Sequence, residues 1–129
     1  MSHWTVAKVK IKNPNKEILR MALMSIAKEL GVSRVVEGYE VIGYHARQKC
    51  DFAIPMRLPY GNGYGVYIDN GEVRVVVDDH GAPITAEEFA KKLTQYYVAT
   101  AVVYAAQHLG FSIQNVQSTP QGIIMDLAR

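Results

Sequence analysis

The dipeptide Asn70-Gly71 stands between two alternating runs, "GYGVYID" and "EVRVVVDD". A two-residue type I′ connection needs positive φ at both central positions, which Asn and Gly accept and most residues resist. Residues 63–79 are therefore predicted to form a β-hairpin. An isolated hairpin is marginal in water and its edges invite pairing, so the rest of the chain has to supply strands and a packing layer.

The flanking sequence supplies both. In "HWTVAKVKIK" the set Ala7, Val9, Ile11 alternates with Val6, Lys8, Lys10, Lys12, the pattern of a strand with one dry and one wet face. "NPNKEILRMALMSIAKELG" reads as a helix, with Asn13 as N-cap, Pro14 at the first helical position and Gly31 as the left-handed stop. Leu19, Leu23, Ile26 and Leu30 give it one apolar stripe. "RVVEGYEVIGY" and "KCDFAIPM" read as strands. "TAEEFAKKLTQYYVATAVVYAAQHLG" opens on Thr85 and Glu88 as a capping box, has i,i+4 pairs Glu87–Lys91 and Glu88–Lys92, and closes at Gly110. "FSIQNVQSTPQGIIMDLAR" completes the chain as two strands around Thr119–Gly122.

The predicted order is β-α-β-β-β-β-α-β-β, an α+β fold with two helices packed on one face of a mostly antiparallel sheet. No linker divides the sequence, so residues 1–129 are expected to form a single globular α+β domain. Both helices end in Leu-Gly and lead into a hairpin pattern, a faint pseudo-repeat. Two features strain a simple monomer. The second helix is apolar nearly all round after Tyr96, which places it centrally or in an interface. Two helices also leave the other sheet face to be either polar and wet or covered in a homo-oligomer.

Composition narrows the setting. The single cysteine, Cys50, cannot close an internal disulfide and fits a reducing compartment. Lys8, Lys10 and Lys12 interrupt any secretory pattern, and the apolar run at 96–106 falls short of the ~20 residues a membrane helix needs. The expected location is the cytoplasm, without a membrane partner. Net charge is +2, yet residues 1–49 hold nine Lys/Arg against four Asp/Glu and residues 50–129 five against eight. Lys8, Lys10, Lys12, Arg34, Arg47 and Lys49 are the candidate site for an anionic partner such as RNA or the ribosome, with steeply salt-dependent binding. The same lysines also keep an exposed edge strand from aggregating, and both readings stand at this level.

Chemistry is harder to find. In "YGNGYGVY" the glycines lead into a strand rather than a helix N-terminus, so a mobile β-loop is expected instead of a phosphate cradle. His3, His45, His80 and His108 show none of the CxxC, HxxxH or HExxH spacings that pre-set a metal site, and no metal or cofactor is expected. A small-ligand or metal-binding enzyme site near His45, Cys50 and His80 is the alternative, reachable only if those segments converge. Cys50 lies in a predicted strand beside Lys49 and Asp51, where it reads as a core or edge residue rather than a reactive thiol. Asp78-Asp79-His80 precedes a helix start, where acids are commonplace, and His108 suits a helix C-terminus. No catalytic residue is assigned. Tyr39, Tyr44 and Tyr64 each follow a glycine and read either as sheet residues or as stacking anchors.

Taken in order, "MSHWTVAKVKIKN", "VIGY", "YGVYIDNGEVRVVVDD", "FAKKLTQYYVATAVVYAAQHLGFSI" and "GIIMDL" resemble the hypothetical chloroplast reading frame thirty-five family, a domain of unknown function (1257). The most specific parts are Met1-Ser2-His3 followed by the aromatic Trp4, and Lys92-Leu93-Thr94-Gln95-x-Tyr97. "DDHGAPIT" and "ARQKCDFAIPMRLPYGNG" depart from the family pattern. The resemblance implies a small stand-alone domain with no assigned activity, and an accessory role beside an AAA-type ATPase. The leading expectation is a non-catalytic binding or adaptor module that acts through protein–protein contacts and self-association.

Overall fold

A computed structural model describes residues 2–129. Its elements are β1 (Trp4–Lys12), α1 (Lys16–Glu29), β2 (Val36–Ile42), β3 (Arg47–Pro55), β4 (Gly63–Asp69), β5 (Glu72–Asp78), α2 (Ala86–His108), β6 (Ser112–Thr119) and β7 (Gly122–Ala128). The α+β order is the predicted one. Asn70 and Gly71 take φ of 51° and 78°, closing β4 onto β5 with Asp69 opposite Glu72.

That turn also corrects the start of α1. Asn13 sits at φ 48° and donates its N–H to the Gly71 carbonyl at 2.7 Å, so it belongs to the hairpin tip. The N-cap is Asn15, whose side chain accepts from the Ile18 N–H at 3.0 Å, and Pro14 lies ahead of the helix. At the other end Gly31, at φ 77°, provides the expected stop. Thr85 and Glu88 form the predicted capping box on α2. Glu88 is thereby turned back onto the Thr85 N–H, and Lys92 reaches Glu29 of α1 at 3.1 Å instead of pairing with Glu88.

The strands divide five and two. The main sheet runs β1-β5-β4-β3-β2, every neighbour antiparallel, and β6-β7 form a separate hairpin. Strands β1 and β2 are the two ends of that hydrogen-bonded order. Helix α1, fourteen residues and so about 21 Å long, joins one to the other in the chain. One face of the sheet meets both helices. Ala7, Val9, Ile11, Phe52, Ile54, Val66, Val73, Val75 and Val77 pack there against Leu19, Leu23 and Ile26 of α1 and Phe89 and Leu93 of α2. Tyr64 stacks on Phe89 at 4.8 Å between ring centres, and its hydroxyl bridges the Ile84 backbone, donating to the carbonyl at 2.7 Å and accepting from the N–H at 3.2 Å.

The opposite face is neither simply wet nor left for another copy. Strand β3 changes the face it presents at Asp51: Phe52 and Ile54 look to the helices, whereas Cys50 joins Ala53 on the far side. Asp51 compensates for the lost ladder contact by accepting from the Ile68 N–H at 2.8 Å. Beyond this switch the β2–β3 hairpin folds back over the helix-free face, as a corner allows, with no register shift in either ladder of β3. Val41 and Cys50 stand directly over Gly65, where a Cβ would fall 2.5 Å from Val41 and 2.4 Å from the Cys50 sulfur. Val76 and Ala53 close this second, smaller core, with Trp4 and Tyr67 at its margin.

The loop before β4 is not the free β-loop expected. The Asn62 side chain accepts from the Ile42 N–H at 2.8 Å and donates to the Glu40 carbonyl at 3.1 Å, tying the loop to the folded-back hairpin.

Candidate functional site

Two surfaces stand out, one polar and one apolar. The polar one gathers at the end of the main sheet where β1 begins and β5 ends. Pairing of Trp4 with Asp78 brings the chain's first described residues beside the Asp78–Asp79 pair. The Asp78 carboxylate accepts from the His3 N–H at 2.7 Å and from the Tyr44 N–H at 3.2 Å, so it clamps the N-terminal strand to the tip of the β2–β3 hairpin. Gly43 permits that approach: a Cβ there would fall 2.6 Å from the Trp4 ring.

Asp79 is aimed the other way. One oxygen accepts from the Ala86 N–H at the start of α2, at 2.8 Å. The other meets His3 Nδ1 at 2.6 Å and the Thr5 hydroxyl at 3.2 Å. The Asp79 side chain is 3% exposed and that of His3 is 69% exposed. A carboxylate only accepts, so the proton of this contact sits on His3 Nδ1. Tyr44, His45, Tyr60 and His80 lie alongside as a chain of edge-to-face rings, at 4.3, 5.9 and 5.3 Å between successive centres His45–Tyr44, Tyr44–Tyr60 and Tyr60–His80. Ser2, Tyr44, His45 and Tyr60 line a shallow cleft there. The arrangement orients an imidazole but sets no nucleophile against it.

Three of the four histidines thus share this end of the sheet, while His108 lies in the last turn of α2 with Nδ1 2.8 Å from the Tyr104 carbonyl. Of the alternative grouping of His45, Cys50 and His80, the ring chain joins the two histidines, while Cys50 lies in the second core. Cys50 is buried in the second core, and burial, with the Asp51 charge adding, pushes its thiol up to about 12. Asp79 partners His3 rather than its neighbour His80. Among the described residues no three of His, Cys, Asp and Glu converge to hold a metal ion.

The six candidate cations come from two places. Lys8, Lys10 and Lys12 project from the exposed face of β1, Lys8 lying 4.0 Å from Glu72. Arg34 precedes β2, and Arg47 and Lys49 lie in β3, Arg47 paired with Glu40 at 3.4 Å. Of the glycine-preceded tyrosines, Tyr64 is core, Tyr39 donates to the Asn62 carbonyl, and only Tyr44 is open to solvent.

The apolar surface is an arm. Helix α2 buries Ala86, Phe89, Ala90 and Leu93 in the main core and then only Ala106. Tyr96 and Tyr97 still pack against the main core, and beyond them the β6–β7 hairpin folds back along the helix. Thr94, Gln95, Val98, Ala99 and Val102 on the helix face Ile123, Met125 and Leu127 on β7 across an open groove. Helical spacing on one wall and alternate strand positions on the other make both walls apolar at once. Val98, Val102, Tyr104, Leu109, Val116, Ile124 and Leu127 are each more than 40% exposed. Residues 93–129 carry two of the chain's 26 formal charges, Asp126 and Arg129. The arm is thus nearly bare of charge and largely exposed. Among the described residues no helix is long and apolar enough to cross a membrane.

Comparison with curated proteins and with solved structures gives no match. A family model described as "Protein of unknown function (DUF1257)" matches residues 26–125, which run from the last turn of α1 to β7. With more than half of its length so matched, the chain belongs to this family of proteins of unknown function.

Proposed function

We propose that the chain is a non-catalytic binding module that acts through protein–protein contacts, self-association among them, with the arm as its contact surface. The observation that carries this reading is the contrast within one chain: residues 93–129 hold two formal charges, and residues 1–92 hold the other 24. A surface that only meets water is about 25–35% charged, whereas the centre of a protein interface is depleted of charge. Within the family we place the chain beside the chloroplast reading frame thirty-five proteins, on Met1-Ser2-His3-Trp4 and Lys92–Tyr97; Met1 lies outside the described residues. That likeness makes an AAA-type ATPase the first heterologous partner to offer it.

The test is affinity capture from native extract, run with and without nuclease, on the parent chain and on a Val98→Glu, Val102→Glu variant. Both positions are exposed, so the variant is expected to fold. A defined protein that survives nuclease and is lost with the variant supports the reading. Bound material that vanishes with nuclease and ignores the variant would move the site to RNA, with Lys8, Lys10 and Lys12 the first residues to reverse.

A further inference from the structure

We infer that the arm is covered by a second copy of this chain, joined through strand β7 about a two-fold axis near Met125. The inference rests on the arm being a contact surface and names its occupant.

The sheet edges decide the strand. A two-stranded sheet is marginal alone; three or more strands over a helix are stable. The β6–β7 hairpin has only α2 on one side and two open edges. Of these, β6 ("SIQNVQST") is mostly polar, while β7 ("GIIMDLA") is apolar apart from Asp126. Edge strands that stay single carry lysines, bulges or prolines, and β7 carries none of them. Strand β1 shows the contrast. Every two-fold pairing of β1 centred between Lys8 and Lys12 that keeps dry face with dry face sets lysine against lysine, which is repulsive.

Register and charge then agree on β7. Antiparallel pairing of identical strands is itself two-fold, the commonest symmetry of small oligomers. With Met125 on the axis, Ile123 faces the partner's Leu127 and Met125 faces the partner's Met125, all on the groove side. On the other side Asp126 faces Ile124 of the partner subunit, so the two aspartates avoid each other. The product is a four-stranded sheet in the order β6-β7-β7-β6 with both copies of α2 on one face. That closes the groove between Val98, Val102 and β7 and repeats the layering of the main domain. An interface of ordinary size takes about 20–30 residues from each side, and the arm beyond Tyr97 has 32 to draw on. A partner of strong charge would gain nothing from this surface, whereas a second neutral surface meets it without repulsion.

The test is sedimentation of the full chain across concentration, with two substitutions at one exposed site. The parent is expected at twice the 14.4 kDa chain mass. Ile124 is 53% exposed, so either charge is compatible with a folded protomer, checked by its thermal transition. Ile124→Glu sets a carboxylate against the partner's Asp126, once in each copy, and is expected to weaken association roughly tenfold or more; Ile124→Lys gains a counter-charge there and is expected to retain the dimer. In a Cys50→Ala background, Met125→Cys is expected to give a covalent dimer on mild oxidation, since directly opposed Cα atoms lie about 4.5–5.5 Å apart, within disulfide range. A dimer that is indifferent to the sign of charge at 124 and does not cross-link at 125 would overturn the β7 interface. A parent that stays monomeric at every concentration overturns the second copy. If that monomer binds another protein and loses it with Val98→Glu, Val102→Glu, the contact reading survives alone; if those changes alter no binding, both readings fall.

Discussion

His3 and Asp79, seventy-six positions apart, meet with Nδ1 and Oδ1 2.6 Å from each other, the imidazole in solvent and the carboxylate buried. The same carboxylate also receives the Ala86 N–H, so a single side chain ties β1 to the start of α2. The load falls on the buried partner. Asp79→Ala is expected to cost about 1.5–3 kcal/mol, because it orphans a buried N–H and removes charge-assisted bonds. His3→Ala is expected to cost less than about 1 kcal/mol, as for an exposed ion pair. Urea unfolding of the two variants checks this; equal losses would show the histidine to be the structural element.

Tyr64→Phe keeps the ring on Phe89 and deletes only the hydroxyl that serves both Ile84 backbone groups. The expected loss is about 1–3 kcal/mol, the usual cost of unsatisfied buried partners. A change in unfolding midpoint near zero would show that water serves Ile84 in the variant.

Cys50 reports the second core through pH. Its thiol ionises near 9.0 when unfolded and is pushed up to about 12 in the fold, chiefly by burial. Between those values the unfolded chain binds fewer protons than the native one. Stability therefore falls as pH rises, by at most about 1.4 kcal/mol per unit from this group. Below that window the contribution is fully present. Tyr64, also raised by burial, adds to the fall at higher pH in every variant. The measurement is the difference in pH slope between the parent and Cys50→Ala; identical slopes would place the thiol in water. In the native state Cys50 is expected to resist thiol reagents and to label on unfolding.

Gly65→Ala drives a methyl into Val41 and the Cys50 sulfur. The φ of Gly65 is not in the left-handed region, so crowding alone sets the cost, expected at about 1–3 kcal/mol. Adding Cys50→Ala is expected to recover part of it, since the closest atom is then removed. Strict additivity of the two changes would mean that the hairpin does not lie on Gly65.

Much of this was legible locally. Alternation in β1, the Asn70-Gly71 turn, the Thr85–Glu88 capping box and the glycines after both helices depend on neighbours within a few residues, and each formed where expected. The helical part of the arm was visible as a pattern apolar nearly all round after Tyr96, which placed the helix centrally or in an interface. Asn13 failed as a cap because the hairpin tip, fifty-eight residues on, competes for it. The rest had no local signature. Nothing near Asp51 announces that β3 will exchange faces, since the switch pays off only when Val41 and Cys50 find Gly65 and Val76. Nothing near His3 announces Asp79, because the two meet through the register of β1 on β5. Sequence by itself determined which segments become helix and strand and which surface lacks charge, because propensity, periodicity and charge are carried by the residues themselves. Tertiary structure alone decided which polar groups meet and how the second sheet face is covered, because those depend on strand register and chain reversal across long separations.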